Sequence, residues 1–186
     1  MRSKLVKDLV VPLSEYATIS QDASLLDAIL ALEKAQAQFN RSPYTHRAVL
    51  VYNETGNIVG KLSQIDIIRG LEPKYEEVGD LKHRSFSAFS PAFFKAMYDH
   101  LKPWEKPLRD LCKTTASRKV KEVMHMPTKD EYVEADATLD EAIHRLILGS
   151  HQSLIVTRGE EIVGILRLTD VFQEITNVAK TCGIEP

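Results

Sequence analysis

This chain contains no long apolar run and has few cysteines. No stretch of about 18 apolar residues occurs, so no transmembrane helix is predicted. The first residues also lack the apolar core of a secretory signal. The two cysteines, Cys112 and Cys182, have no metal-type spacing. We therefore expect reduced thiols in a cytoplasmic protein without a membrane partner.

Catalytic and nucleic-acid-binding signatures are also missing. The six histidines are scattered, and neither a Walker-type phosphate loop nor a nucleophile motif occurs. A formal net charge of −2 provides no basic stripe, so a nucleic-acid partner is not expected. A chain of 186 residues is long enough to form a stable core unaided. These features predict a protein that is not an enzyme and requires no metal or cofactor.

What the chain does contain is an internal duplication. Its segments recur in the same order: 6–9 as 120–123, 22–29 as 136–143, 58–60 as 162–164, and Asp66 as Asp170. Such a duplication implies two similar units that pack together. A cleft between two such units is a natural site for a small ligand.

Both copies predict the element order β-α-β-β-α. Strands are predicted over 17–20, 48–52, 58–62, 132–135, 153–157 and 161–166. Helices are predicted over 24–39, 64–71, 138–148 and 168–180. Thr138-x-x-Glu141 fits a capping box at one helix start, and Ser24-x-x-Asp27 is a weaker version of it.

Two segments interrupt the duplication. The first copy carries an additional stretch, 38–44, which either reaches over a cleft mouth or is a tolerated surface insertion. The segment 73–117 separates the copies and divides the chain into a first repeat (1–72), a helical linker (73–117) and a second repeat (118–186).

The linker contains a predicted helix with an aromatic face. Ser90-Pro91 is a favourable helix start, and Phe93, Phe94 and Tyr98 follow on one side, with Trp104 nearby. This face either packs on the rest of the chain or contacts a second chain.

The stretch from Gly60 to Asp66 has the composition of a nucleotide site. Gly60 lets a ligand approach the strand, Ser63 and the first helix N–H groups can hold an anionic oxygen, and Asp66 can accept bonds from a diol. A plain helix cap would use the same serine and aspartate. In the second copy Arg167 replaces the serine but Asp170 remains, which favours a ligand role for the aspartates.

The repeated order and these motifs resemble the cystathionine β-synthase (CBS) domain, present as a tandem pair. The resemblance rests on the β-α-β-β-α order, on the segment 46–51 and on Gly60-x-x-Ser63-x-x-Asp66, and it covers about 5–72 and 118–180. It implies an α/β (α+β) fold with two repeats packed about a pseudo-two-fold axis and a helical insertion between them. It also implies clefts that bind AMP, ADP, ATP or S-adenosylmethionine.

The resemblance further implies roles for individual residues. The aspartates would hold ribose hydroxyls, Ser63 would contact phosphate, Thr169 would partly replace the missing serine, and Arg167 would either neutralise phosphates or fill its own cleft. His46 and Arg47 precede a strand where basic side chains face phosphates, although His46 is equally explained as a surface residue. The candidate ligand-binding residues are Ser63, Asp66, Asp170, Thr169, Arg167, His46, Arg47, Ile19 and Val133.

The last two of these would line an adenine pocket, but core packing explains Ile19 and Val133 equally well. The expected function is that of a regulatory module, a homodimer, that binds an adenine nucleotide between its repeats and transmits occupancy by a change of conformation or assembly. The helix within 90–104 is a candidate surface for a protein partner. The alternative is a dimerisation scaffold whose degenerate clefts hold nothing.

Overall fold

The structure is a computed structural model that describes residues 3–39, 44–77, 90–105 and 108–181. The strands are β1 Val11–Pro12, β2 Thr18–Ser20, β3 Ala48–Tyr52, β4 Ile58–Ser63, β5 Tyr132–Glu134, β6 Ser153–Arg158 and β7 Glu161–Arg167. The helices are α1 Leu25–Gln38, α2 Gln64–Leu71, α3 Lys74–Glu77, α4 Pro91–Leu101, α5 Leu108–Ser117, α6 Leu139–Leu148 and α7 Leu168–Thr181. The mixed α/β class and the repeated order of elements are confirmed.

The described strands form two sheets, one for each repeat. In the first, β2 runs parallel to β3, which runs antiparallel to β4. In the second, β5 runs parallel to β6, which runs antiparallel to β7, and β1 joins the edge of β7. The buried runs of β3 and β6 explain their nearly continuous apolar sequences, because both faces of each strand are covered.

The two repeats exchange their leading segments. Val6 is buried in the core of the second repeat, and its N–H donates to the carbonyl oxygen of Ala137 at 3.0 Å. Val120, at the same place in the second copy, is buried in the core of the first repeat and donates to the carbonyl oxygen of Ala23 at 3.0 Å. Because each segment completes the core of the other repeat, the two halves form one unit with approximate two-fold symmetry.

A third buried cluster joins the two sheets. Leu50 from β3 packs with Ile155 from β6 and Ile165 from β7, and all three are almost inaccessible to solvent. Burial of three such side chains contributes roughly 1.5–3 kcal/mol each. The interface between the repeats is therefore apolar at its centre.

Two glycines lie where the exchanged segments approach a strand most closely. A Cβ at Gly164 would lie 2.2 Å from the carbonyl oxygen of Val11, which pairs with β7. A Cβ at Gly60 would lie 2.6 Å from Sδ of Met124. The expectation that Gly60 makes room for a ligand is wrong, because a side chain from the segment leading into the second repeat occupies that room.

Of the two capping boxes that the sequence predicts, only one forms. Ser24 forms the full capping box with Asp27: its Oγ accepts from the Asp27 N–H at 3.2 Å, and its own N–H donates to Oδ2 at 2.9 Å. Thr138 makes no side-chain capping bond. The Glu141 carboxylate instead accepts from Nη2 of Arg145 one turn later, at 2.9 Å, so it does not complete the box predicted from the sequence.

The segment between the repeats contains α3, α4 and α5. Of the residues in α4, Leu101 is buried, while Phe93, Phe94 and Tyr98 are 42%, 39% and 63% exposed. The end of α4 is anchored where buried Glu72 accepts a hydrogen bond from the N–H of Trp104 at 2.7 Å. The aromatic face therefore does not become buried against the described part of the module.

In the ranges that the structure covers, no helix is both long and apolar enough to span a bilayer. Cys112 is exposed and carries a free thiol, and Cys182 lies outside the described residues.

Candidate functional site

An open cavity of about 530 Å³ lies where the two repeats meet. Its walls come from the starts of β3 and α2 in the first repeat, and from the α6–β6 connection and the β7–α7 junction in the second. The lining residues are Tyr16, Thr45, Arg47, Ala48, Lys61, Ser63, Gln64, Ile65, Asp66, Ile68, His125, Ser150, His151, Gln152, Ser153, Arg167 and Thr169. We call this space the inter-repeat cavity. Its volume falls in the range of small-molecule sites, roughly 300–1,000 Å³.

Ser63 and Asp66 lie on the wall of the inter-repeat cavity at the start of α2. Ser63 donates to Oδ2 of Asp66 through its N–H, at 3.0 Å, and through its hydroxyl. The Asp66 N–H donates back to the Ser63 hydroxyl at 3.3 Å, and Nη1 of Arg69 lies 3.4 Å from Oδ1. The helix cap anticipated as the alternative therefore forms. The Asp66 side chain is only 6% exposed, so a ligand role requires it to accept from a ligand in addition to these partners.

Arg47 and Thr169 also line the cavity, from opposite repeats. Arg47 is exposed at the start of β3, and its carbonyl oxygen accepts from the N–H of Gln64 at 3.0 Å, which ties the start of α2 to β3. Ser63 lines the same cavity. A cation and two hydroxyl groups thus face one space that both repeats enclose.

A buried ion pair crosses between the repeats beside the cavity. Nζ of Lys61 lies 2.9 Å from Oε2 of Glu131, and the two side chains are 13% and 4% exposed. Nε2 of His125 hydrogen-bonds the other carboxylate oxygen, and the N–H of Thr128 donates to it at 3.2 Å. Burial by itself would raise the pKa of Glu131, but Lys61 and His125 outweigh that effect and lower this pKa to about 2.

The second copy of the motif is filled by its own arginine. Nε of Arg167 donates to Oδ2 of Asp170 at 2.6 Å, and Nη2 donates to Oδ1. Nη1 of Arg167 donates to the carbonyl oxygen of Tyr44 at 2.8 Å, and the guanidinium lies 4.6 Å from the centre of the Phe39 ring. Arg167 thus occupies both carboxylate oxygens of Asp170, and a smaller cavity of about 220 Å³ stays open beside the pair. Asp170 does not line the inter-repeat cavity.

His46 is fully buried beside this plug, not at the surface. Its ring centre lies 4.4 Å from that of Tyr16 and 4.2 Å from that of Phe39. Burial lowers the pKa of His46, and the Arg167 cation acts in the same direction. Burial also raises the pKa of Tyr16 to about 12. These groups are therefore neutral around neutral pH and form an aromatic packing layer.

The additional stretch of the first repeat contributes to this layer from both its ends. Phe39 stacks on Arg167, and Tyr44 supplies the carbonyl oxygen that Arg167 contacts. Both ends of the stretch therefore contact Arg167 at the second cleft, in line with the interpretation that the stretch reaches a cleft. Residues 40–43, between these ends, lie outside the part of the chain that the structure describes.

Ile19 and Val133 belong to the cores. Ile19 is 8% exposed and packs in the first repeat, and Val133 is 3% exposed and packs in the second. Neither lines the inter-repeat cavity. Sequence reasoning did not identify Lys61, Glu131 and Phe39 as site residues, because each acts through a partner that is distant in the sequence.

Comparison with known proteins places this architecture in a family. The model of the CBS domain matches residues 6–73 and 120–177. This chain belongs to the CBS domain family. The two matches cover the two repeats, so the chain carries a tandem CBS pair. No curated protein sequence matches it.

Solved structures of other CBS pairs share the fold over nearly the whole chain. A CBS domain-containing protein of unknown function from Bacillus anthracis is 15% identical with a TM-score of 0.62, and the match covers 95% of each chain. CBSX2, a CBS-pair protein of Arabidopsis thaliana solved in complex with AMP, is 16% identical with a TM-score of 0.58, covering 94% of this chain and 98% of that one. At these identities the likeness establishes the fold alone.

Proposed function

We propose that this CBS pair is a regulatory module that binds one adenine nucleotide in the inter-repeat cavity. The observation that carries the proposal is an open space of about 530 Å³ with Ser63 and Asp66 on one wall and the second repeat on the other. In this proposal Asp66 holds the ribose hydroxyls, Ser63 and Thr169 bind near the phosphate, and Arg47 neutralises it. AMP bound to CBSX2 in the same fold supports the choice of ligand.

The proposed mechanism is a shift between two relative arrangements of the repeats. A ligand in contact with both walls favours whichever arrangement it binds more tightly. A 100-fold difference in affinity between the two arrangements corresponds to about 2.7 kcal/mol. No bond is made or broken in this role, which is regulatory and not catalytic.

We also propose that the module acts as a homodimer in the cytoplasm. Ile65, Ile68, Phe172 and Ile175 are large apolar side chains that are 61%, 48%, 58% and 41% exposed on α2 and α7. Ile65 and Ile68 also line the inter-repeat cavity. The association of a second chain with this face would therefore depend on whether the cavity holds a nucleotide. Sedimentation of Phe172→Glu tests the dimer, since a charge in an apolar interface should give a monomer. Dimers that survive would contradict this part.

The aromatic face of α4 is the proposed contact for a different protein. Tyr98 and Phe93 are exposed there, next to the anchored end at Trp104. Tyr98→Glu should leave nucleotide affinity and the homodimer unchanged under this proposal. A monomeric variant would instead assign this face to self-association.

The rival function is a constitutive scaffold with degenerate clefts. The bidentate Arg167–Asp170 pair favours it, because one of the two motif positions is already filled by the chain itself. Under this alternative the inter-repeat cavity would hold no nucleotide either.

Calorimetry of AMP binding separates the two functions. Asp66→Ala should abolish a saturable signal, because the diol loses its acceptor. Asp27→Ala is the matched control: Asp27 forms the same capping box with Ser24 on α1 but is exposed and does not line the cavity. Loss of either cap lowers the free energy of unfolding by about 1 kcal/mol. If only Asp66→Ala loses AMP binding, the loss therefore comes from the ligand contact and not from the cap. The absence of any signal from AMP, ADP, ATP and S-adenosylmethionine in the unmodified protein would favour the scaffold.

A further inference from the structure

On the basis of the proposed function, we infer that the inter-repeat cavity selects a nucleoside monophosphate over the di- and triphosphate, and that Arg47 sets this preference. The reason is that most basic side chains on the wall of the inter-repeat cavity are already paired with carboxylates of the chain itself.

Two of the three permanent cations on the wall are committed to buried carboxylates. Lys61 lies 2.9 Å from Glu131, with both side chains nearly buried. Arg167 holds Asp170 with two hydrogen bonds, and these side chains are 6% and 12% exposed. If a phosphate recruited either cation, it would leave a buried carboxylate without its counter-charge, which is strongly unfavourable.

The two imidazoles on the wall are paired in the same way. Nε2 of His125 contacts Glu131, and Nε2 of His151 lies 2.9 Å from Oδ2 of Asp130. Nε2 of each ring therefore already contacts a carboxylate of the chain before a ligand arrives.

The start of α2 has little remaining capacity for anions. The N–H of Gln64 donates to the carbonyl oxygen of Arg47 at 3.0 Å, and that of Asp66 donates to the Ser63 hydroxyl. The Asp66 carboxylate also places a negative charge at this helix end, where a polyphosphate would otherwise be stabilised.

Arg47 is different from these groups. Its side chain is exposed, lines the cavity and makes no ion pair within the described ranges. A guanidinium presents two parallel donors that match one phosphate group. A second and third phosphate would each add negative charge near Asp66, Glu131 and Asp170, and the lining residues that the structure describes supply no additional unpaired cation to offset it.

The test is calorimetry of the full chain with adenosine, AMP, ADP and ATP, without divalent cations. We expect AMP to bind at least about tenfold more tightly than adenosine, and ADP and ATP to bind more weakly than AMP. Arg47→Gln should lower AMP affinity to that of adenosine and leave adenosine unchanged. Arg47→Lys should recover part of the loss, because it restores the charge without the paired donors. Arg158→Gln, an exposed arginine at the opposite end of β6, should change nothing.

Two kinds of result would contradict this inference, and they differ in whether a nucleotide site remains. Tighter binding of ATP than of AMP, or equal AMP affinity in Arg47→Gln, would overturn it while leaving a nucleotide site in place. No binding of any of the four ligands would remove the proposed function and this inference with it.

Discussion

Lys61 of the first repeat and Glu131 of the second form an ion pair with 2.9 Å between Nζ and Oε2, on side chains that are almost fully buried. The pair lies next to the inter-repeat cavity, and the backbone of Lys61 is also bridged to His125 by two hydrogen bonds of 2.9 Å. The polar edge of the interface between the repeats is thus concentrated where a ligand would bind.

Glu131→Gln should destabilise the fold, because it leaves the buried Lys61 ammonium without its counter-charge. The expected loss in the free energy of unfolding is about 3 kcal/mol, measured by urea denaturation. Lys61→Met combined with Glu131→Gln should recover most of this loss, since the uncompensated charge is gone.

The exposed ion pair between Lys121 and Asp22 provides the control for this cycle. Its charges are 2.7 Å apart in solvent, so Lys121→Gln should have a much smaller effect. Equal losses in Lys121→Gln and Glu131→Gln would mean that burial does not determine the importance of the pair.

The free energy of unfolding should decrease as the pH is lowered, over a range that is set by the pKa of Glu131. Its pKa is about 2 in the folded chain, against an ordinary value of 4.5. The unfolded state therefore binds the proton first. The stabilisation is complete above about pH 4.5 and is lost as the pH falls towards 2.

Urea denaturation across this pH range checks the prediction when Glu131→Gln is compared with the unmodified protein. Exposed aspartates with lowered pKa values, such as Asp22 and Asp136, titrate in both proteins, so the difference between the two curves isolates Glu131. Stability should depend less steeply on pH in the variant. Parallel curves would contradict the assignment.

The two glycines at the exchanged segments should differ in their tolerance of alanine. Gly164→Ala places a methyl group against the backbone oxygen of Val11, which cannot move without loss of the β1–β7 pairing. A loss of roughly 3 kcal/mol is expected. Gly60→Ala meets the flexible side chain of Met124, so about 1 kcal/mol is expected.

Thermal and chemical denaturation of both variants measure this difference. Addition of Met124→Ala should relieve Gly60→Ala specifically, because it removes the two side-chain atoms that lie closest to the new methyl group. If Gly60→Ala were the more damaging change, the close approach of β1 would not be the main constraint.

Local patterns in the sequence were sufficient to predict most elements. The apolar spacing of Leu25, Ile29 and Leu32 predicted α1, and the continuous apolar run of β3 predicted a strand covered on both faces. α5 was not predicted, because it is polar overall and only a few residues, among them Leu111 and Cys112, form its apolar side. β1 was missed because a two-residue strand depends on β7 of the other repeat.

The candidate site was only partly visible in the sequence. Ser63, Asp66 and Arg47 were singled out because they follow a local motif, and they line one cavity. Glu131 was not found, because its partner Lys61 is 70 residues away, and a single sequence does not record which distant charges meet. The ligand roles of His46 and Asp170 remain predictions: His46 is buried, and Asp170 is held by Arg167.

A crystal structure of the chain grown with AMP tests the central claim most directly. We expect one AMP per chain in the inter-repeat cavity, with its ribose hydroxyls on Asp66, its phosphate on Arg47, and Arg167 still paired with Asp170. An empty cavity at saturating AMP, or AMP bound at Asp170 in place of Arg167, would contradict it.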